Sequence, residues 1–293
     1  MSAAHARWNW QSVYPAPAKL NLFLHVIGRR ADGYHLLQTV FRLIERGDSL
    51  RFSPRQDGQL CLMTPLPGVR ADDDLSVRAA RLLQAEASAQ GRGCVPGVDI
   101  SVEKRLPLGG GLGGGSSDAA TVLLALNHLW QLGLRRKRLQ EIGLALGADV
   151  PFFVFGRNAF AQGVGDALQA LDLPARHYLV LQPAVSVSTA AIFSAPELRR
   201  DTPPVSVGEW SAGFGRNDLQ SVACARFREI ADCLNWVSRF AEARMTGSGA
   251  CVFAEFADRD LAEDVCRRAP PGLRAWVAAG VERHPLYDLA ADD

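Results

Sequence analysis

Apolar and polar residues alternate over residues 19–27, Lys-Leu-Asn-Leu-Phe-Leu-His-Val-Ile. The alternation predicts a strand with Leu20, Leu22, Leu24 and Val26 on one face and Asn21, Phe23 and His25 on the other. Pro15 and Pro17 predict an extended entry, with Lys19 at the strand's start. Arg29-Arg-Ala-Asp-Gly-Tyr-His35 reads as a polar turn on Asp32-Gly33, followed by a strand from Leu36 to Leu43. A hairpin is expected between Asp48 and Leu62 around Asp57-Gly58, then a loop at Pro65, Pro67 and Gly68. From Leu75 to Gln84 the pattern is that of an amphipathic helix, capped by Asp72, Asp73 and Asp74 and ending near Gly91. A strand over Val98 to Lys104 follows. Then come an almost wholly apolar helix, Ala119 to Trp130, and a helix from Lys137 to Leu146 stopped by Gly147. The second half alternates strands (178–183, one fed by a glycine turn within 244–256, and 274–281) with helices (within 219–240 and 258–268), around a loop or short helix at 186–193 and a surface loop at 202–205. This order predicts an α/β (α+β) chain of two units, residues 1–160 and 161–293, the second an α/β sandwich.

Between the strand ending at Lys104 and the helix at Ala119 lies Pro107-Leu-Gly-Gly-Gly-Leu-Gly-Gly-Gly-Ser-Ser-Asp118. Its glycines let the backbone approach an anion closely, and the helix start near Ser116–Asp118 offers free N–H groups and a positive dipole end. Ser116 stands where a P-loop needs lysine, and no acidic residue some twenty positions on completes a dinucleotide fingerprint. A phosphate loop of neither standard type, a flexible linker and a tight helix–sheet packing site all stay open. Two other stretches carry candidate chemistry. In Gly147-Ala-Asp-Val-Pro-Phe152, Asp149 is either a helix cap ahead of Pro151 or a catalytic carboxylate at a rigid, partly apolar site. Tyr34 and His35 either meet a ligand or simply begin the next strand. The three acids 72–74 are read as cap and dipole partners in preference to a metal site.

Composition narrows the classes. With 32 basic and 31 acidic residues the net charge is +1, which argues against a broad nucleic-acid or membrane surface. The basic run Arg135-Arg-Lys-Arg138 is read as a solvated turn and helix face. No run reaches transmembrane length and the first ten residues hold no signal-peptide core, so a cytoplasmic location is expected. Cys61, Cys94, Cys224, Cys233, Cys251 and Cys266 are scattered, as reduced thiols would be. No cysteine or histidine pair has metal-ligand spacing.

Three stretches, Pro15-Ala-Pro-Ala-Lys-Leu-Asn21, Pro107 to Ser117 and Met245-Thr-Gly-Ser-Gly-Ala250, resemble in order the three motifs of the GHMP small-molecule kinases. Ala31-Asp-Gly-Tyr-His-Leu-Leu-Gln38 and Gly147 to Phe152 resemble the branch acting on a cytidine diphosphate-linked polyol. The likeness runs from about Ala16 to Val281. It implies a ribosomal-protein-S5-domain-2-like nucleotide-binding domain, a C-terminal ferredoxin-like α/β sandwich, and a site between them. It also implies ATP as phosphate donor, Mg²⁺, and small-molecule substrates, with no nucleic acid or membrane partner and a monomer or weak homodimer. Carried over by position, Asp149 is the implied base and Lys19 its partner. Lys104, Pro107, Gly109, Gly110, Gly111, Leu112, Gly113, Gly114, Gly115, Ser116 and Ser117 fall on the ATP side. Asn21, Tyr34, His35, Phe193 and Thr189 fall around the substrate, the aromatics against cytosine. No Mg²⁺ ligand is implied beyond Ser116 or Ser117. A homoserine- or mevalonate-type kinase and a non-catalytic nucleotide-binding module are the alternatives. Asp-Gly-Tyr-His speaks against the first, and Lys19 together with Asp149 against the second. Asp74 and Asp118 stand where the family commonly has asparagine. A negative charge at 118 is compatible with a triphosphate only if it points away or acts through Mg²⁺.

Overall fold

Strand β2 (His35–Arg55) carries the N-terminal half of the molecule. The structure, a computed structural model, describes residues 8–65, 68–91, 95–211 and 213–292. Cys94, Pro67 and the first seven residues, where part of the leader reading falls, lie outside the described residues. Along one edge β2 is antiparallel to β1 (Tyr14–Arg29), from His35 to Leu50. Its other edge is shared in turn by β5 (Ala159–Gln162) at residues 39–41, β10 (Arg274–Val281) at 43–44, and β4 (Gly97–Glu103) at 49–55. β6 (Ala167–Ala170) extends β5, so the stretch just past residue 160 still belongs to this sheet. The expected hairpin does not form. Gly58, at φ +71, does turn the chain, but β4 already occupies that edge of β2 as far as Arg55. β3 (Leu60–Leu62) therefore pairs in parallel with β4.

Four helices pack on this sheet: α1 (Leu75–Ala89), α2 (Gly114–Leu129), α3 (Arg136–Leu144) and α4 (Val150–Phe155). Asp74 caps α1, accepting from the Ser76 N–H at 2.8 Å. α2 is buried nearly all round, as its apolar sequence demands, in a core with Phe41, Leu43 and Phe52. α3 ends two residues before Leu146, and the Gly147 N–H bonds back to the Gly143 carbonyl at 3.2 Å instead of forming a left-handed cap. The C-terminal half runs β7 (His177–Gln182), α5 (Thr189–Phe193), α6 (Gln220–Arg226), α7 (Arg228–Val237), β8 (Ala243–Met245), β9 (Val252–Phe256), α8 (Arg259–Arg267) and β10. Its antiparallel order, β10-β7-β9-β8, is that of the ferredoxin-like sandwich. Because β10 also touches β2, the two sheets are continuous. No helix among the described residues is long and apolar enough to cross a membrane.

Two expectations are corrected by packing. The leucines of β1 do not share one face, because a register shift between Asn21 and Leu24 rotates the strand. Leu20 and Leu22 pack with Phe23 in one core, while Leu24 and Val26 join the C-terminal core. The basic run is not wholly solvated either. Arg136 is buried, donating to the carbonyls of Val154, Tyr287 and Ala290 and pairing with Asp292 at 2.6 Å. A guanidinium can be buried here because acceptors meet its donors.

Beside Arg136, His284 is buried, its Nδ1 accepting from the Leu286 N–H at 3.1 Å. Burial, then the charge of Arg136, pushes its pKa down to about 3. The unfolded chain protonates this ring near 6.5, so its contribution to stability is complete above that pH. It is lost toward about 3, at about 1.4 kcal/mol per pH unit. His284→Asn is expected to remove about one proton from the pH dependence of the urea midpoint between pH 6.5 and 4. An unchanged slope would contradict the assignment.

Candidate active site

Lys19 and Asn21 are two residues apart on β1 and share a face. The buried Lys19 ammonium donates to Asn21 Oδ1 at 2.5 Å and lies 3.3 Å from Asp149 Oδ2. Asn21 is itself fixed from two sides. Its Nδ2 donates to Thr39 Oγ1 at 2.9 Å, and its backbone N–H donates to Thr246 Oγ1 at 3.0 Å. With the amide nitrogen committed to Thr39, Oδ1 is turned toward Lys19. Asp149 stands at the head of α4 with helical angles (φ −84, ψ −16) and makes no capping bond. Its carboxylate is free of the helix, 33 % exposed, and faces the lysine.

The glycine loop is pinned on both flanks by its carbonyls. Gly109 and Gly110 accept from the N–H groups of Ala250 and Cys251 at 3.0 and 3.2 Å, and Leu112 accepts from the Lys19 N–H at 3.0 Å. Gly111 accepts from Thr246 Oγ1 at 3.2 Å. Among the described residues, the N–H groups from Leu108 to Ser116 donate no hydrogen bond within the chain. Carbonyls inward and N–H groups outward make a nest for an anion, and a chain so anchored is no flexible linker. α2 also begins earlier than its apolar pattern suggests, at Gly114 behind Gly113 in the left-handed region (φ +73). Its first three N–H groups join the nest. Ser117 and Asp118 therefore lie inside the helix and cap nothing. The Ser117 hydroxyl donates to the Pro17 carbonyl at 2.6 Å, and Thr121 reaches Pro15 at 3.2 Å, docking α2 on β1.

Asp118 points away from the loop. It and Asp48 hold the Lys104 ammonium between them, Asp118 at 2.7 Å. Asp48 also accepts from the N–H groups of Arg105 and Leu106 at 2.6 and 2.8 Å. Burial pushes Asp118 up to about 7, against the opposing charge of Lys104.

These groups line a cavity of about 430 Å³: Lys19, Asn21, Asp149, Lys104 and the loop from Pro107 to Ser116, but not Ser117. A second cavity of about 560 Å³ holds Tyr34, His35 and Arg29, and shares Leu37, Ala148, Val164, Thr189 and Phe193 with the first. The two cavities adjoin across these shared walls. The His35 and Phe193 rings face each other at 4.9 Å, Tyr34 is largely exposed, and Thr189 Oγ1 bonds Ser248 Oγ at 2.7 Å across the join. Among the described residues no cluster of three or more His, Cys, Asp or Glu could hold a metal ion.

Residues 74–157 match the GHMP kinases N terminal domain and residues 195–271 the GHMP kinases C terminal domain. The 4-diphosphocytidyl-2-C-methyl-D-erythritol kinase of Dechloromonas aromatica is 62 % identical over 95 % of this chain and 100 % of its own length. The chain belongs to the GHMP kinase family. The kinase of the same name from Herminiimonas arsenicoxydans is 60 % identical over 94 % of this chain and 97 % of its own. A crystal structure of 4-(cytidine 5'-diphospho)-2C-methyl-D-erythritol kinase superimposes with a TM-score of 0.77 at 35 % identity, over 92 % of this chain and 99 % of that one. A mevalonate kinase structure, at TM-score 0.66 and 12 % identity over 93 % and 100 %, shares the fold.

In this GHMP kinase the sequence reading left out Thr39, Asp48 and Arg200. Each is an ordinary polar residue in its local context, and only long-range pairing brings it to the site. Glycine at 111 is demanded twice, by φ +73 and because a Cβ there would overlap the Thr246 carbonyl oxygen. At Gly115 a Cβ would meet Leu75 no closer than 3.6 Å. Gly111→Ala is therefore expected to lower the unfolding free energy by about 3 kcal/mol, and Gly115→Ala to raise it by about 0.5 kcal/mol. Urea titration of both variants checks the signs, and equal effects would contradict the geometry.

Proposed function

We propose that this GHMP kinase transfers the γ-phosphoryl group of ATP to the 2-hydroxyl of 4-diphosphocytidyl-2-C-methyl-D-erythritol. The products are the 2-phosphate and ADP, in the non-mevalonate route to isoprenoid precursors. The observation that carries this reading is the pair of adjoining cavities, which share five wall residues and set an anion nest and the Lys19–Asp149 pair next to an aromatic chamber. The triphosphate lies on the free N–H groups of the loop and the α2 start, with Lys104 alongside. The substrate's base enters between Tyr34, His35 and Phe193, and its polyol reaches Asp149. Asn21 and Thr189 line the path between them. The hydroxyl oxygen bonds to the γ-phosphorus as the bond to the β-phosphate oxygen breaks. Its proton passes to the Asp149 carboxylate, which Lys19 faces at 3.3 Å and aims. A loose transition state asks the protein for positioning and charge neutralisation, which these groups supply.

Mg²⁺ supplies neutralisation of the phosphate charge when bound. Magnesium is commonly held by substrate phosphates with one or two protein oxygens, and Ser116 and Asp149 are among the side-chain oxygens that line this cavity. The Asp118 carboxylate serves Lys104 instead. We place the enzyme in the cytoplasm as a monomer or weak homodimer acting on small molecules. Its nucleotide-binding unit is taken as residues 1–160, with β5 and β6 carrying that unit's sheet on to Ala170, and the rest of 161–293 completes the substrate side.

The test is ATP consumption driven by the diphosphocytidyl substrate, comparing wild type with Asp149→Asn. The variant is expected to lose about 100-fold or more in kcat with its KM values little changed. A wild type inert toward that substrate would overturn the reading, whereas an undiminished variant would remove only Asp149 as base.

A further inference from the structure

Arg200 stands behind the aromatic chamber, in the loop that follows α5. Its Nη2 donates to the carbonyls of Phe193 and Ala195 at 3.0 and 2.7 Å, and Nη1 donates to that of Leu198 at 2.8 Å. The guanidinium is thus fastened to the end of α5. Its Nε–H donates to Nε2 of His35 at 3.1 Å. An arginine side chain only donates, and it does not deprotonate in proteins. Nε2 must therefore be the bare nitrogen of the imidazole, and the proton of the neutral ring sits on Nδ1. Among the described residues Nδ1 makes no hydrogen bond. The opposing wall, Phe193, is the residue whose carbonyl Arg200 holds, so one guanidinium sets both the donor and the ring against which a ligand stacks.

We propose that Arg200 is a positioning residue that determines base specificity. By occupying Nε2 of His35 it fixes the Nδ1–H tautomer, so the chamber presents a hydrogen-bond donor and selects a base edge carrying an acceptor. The inference rests on the cytidyl substrate reading above. Cytosine offers an unprotonated N3 beside its O2, whereas uracil carries N–H at N3. A fixed donor that meets N3 finds an acceptor in cytosine and an opposing N–H in uracil, and buried polar groups left without a partner are what reject a near-isosteric ligand. A free imidazole exchanges its tautomers and could meet either edge, so the arginine makes the ring one-way.

The charges around the ring act in the same direction. Burial, then Arg200 and Arg29, hold His35 below the ordinary histidine pKa. Asp32 is the acid on the chamber wall, and it is ion-paired with Arg30 at 2.8 Å. The remaining walls, Tyr34, Thr189, Ala190, Phe193 and Ser194, bring no charge. A protonated ring would set N–H against N–H at Arg200. Removing the arginine takes away one of these opposing charges, so the His35 pKa moves upward and protonation competes more as pH falls.

Two readouts test this on the full chain. With ¹⁵N-labelled histidine and no substrate present, His35 (assigned by the signal lost in His35→Gln) is expected as the Nδ1–H tautomer in wild type and as a mixture in Arg200→Met. In turnover, Arg200→Met is expected to raise KM for the diphosphocytidyl substrate about tenfold. Its preference for that substrate over the uridine analogue should fall by a similar factor, while kcat and KM for ATP move by less than about twofold. The loss should deepen as pH drops from 8 to 6, and Arg200→Lys, which retains a donor, should recover part of the preference. A wild-type His35 protonated on Nε2 would overturn the proposal, as would an Arg200→Met enzyme that keeps its cytosine preference. The tautomer is read without substrate, so an enzyme inert toward the cytidyl compound would remove the functional reading and leave the Arg200–His35 assignment to the spectrum. Should Arg200→Met fail to fold, the wild-type tautomer and the preference of Arg200→Lys decide the matter alone.

Discussion

A buried lysine facing a carboxylate at 3.3 Å is the constraint on which the site depends. An ammonium taken out of water is costly unless its donors are met and an opposite charge stands near. Lys19 has Asn21 at 2.5 Å and the Phe41 ring at 5.2 Å from its nitrogen, besides Asp149. Meeting those needs draws in distant parts of the chain. Thr39 comes from β2, Thr246 from the turn between β8 and β9, and Asp149 from the head of α4. The same Thr246 hydroxyl and the Lys19 backbone N–H hold the glycine loop. The Lys19–Asp149 pair and the glycine loop are thus braced by shared groups, and neither can be displaced without disturbing the other.

Charge is kept apart by the same economy of contacts. Lys104 is clamped by Asp48 and Asp118, while Lys19 faces Asp149. Both lysines stand against the glycine loop in the one cavity, Lys19 beside Gly113 and Lys104 beside Gly114. The substitution of aspartate at 118 is accommodated because its carboxylate turns into the protein. Aspartate at 74 is absorbed as a helix cap.

Much of this was legible in the chain before any coordinates. Local signals worked where local physics governs: the strand over 274–281, the Asp74 cap, the buried α2, and the glycine loop between strand and helix. The order and spacing of five motifs pointed to the GHMP kinases. Long-range pairing was not legible. Nothing between Asp48 and Leu62 says that β4 occupies the edge a hairpin would use. Periodicity also cannot register a shift such as the one at Asn21–Leu24, although that shift decides which core each leucine of β1 enters. Arg136 and Arg200 look like surface residues in sequence and acquire their roles from partners over a hundred positions away, and Thr39 acquires its role from Asn21 and Phe23 on the neighbouring strand β1. Ser117 shows the converse. Its motif places it beside a nucleotide, and the fold spends its hydroxyl on the Pro17 carbonyl.

The central claim is that Lys19 and Asp149 act as one unit, and a double-mutant cycle on kcat tests it most directly. Lys19→Met, Asp149→Asn and the double variant are compared under saturating substrates. If the lysine works through the carboxylate, the double variant loses about as much as the worse single variant. Losses that multiply would show two independent contributions and contradict the account.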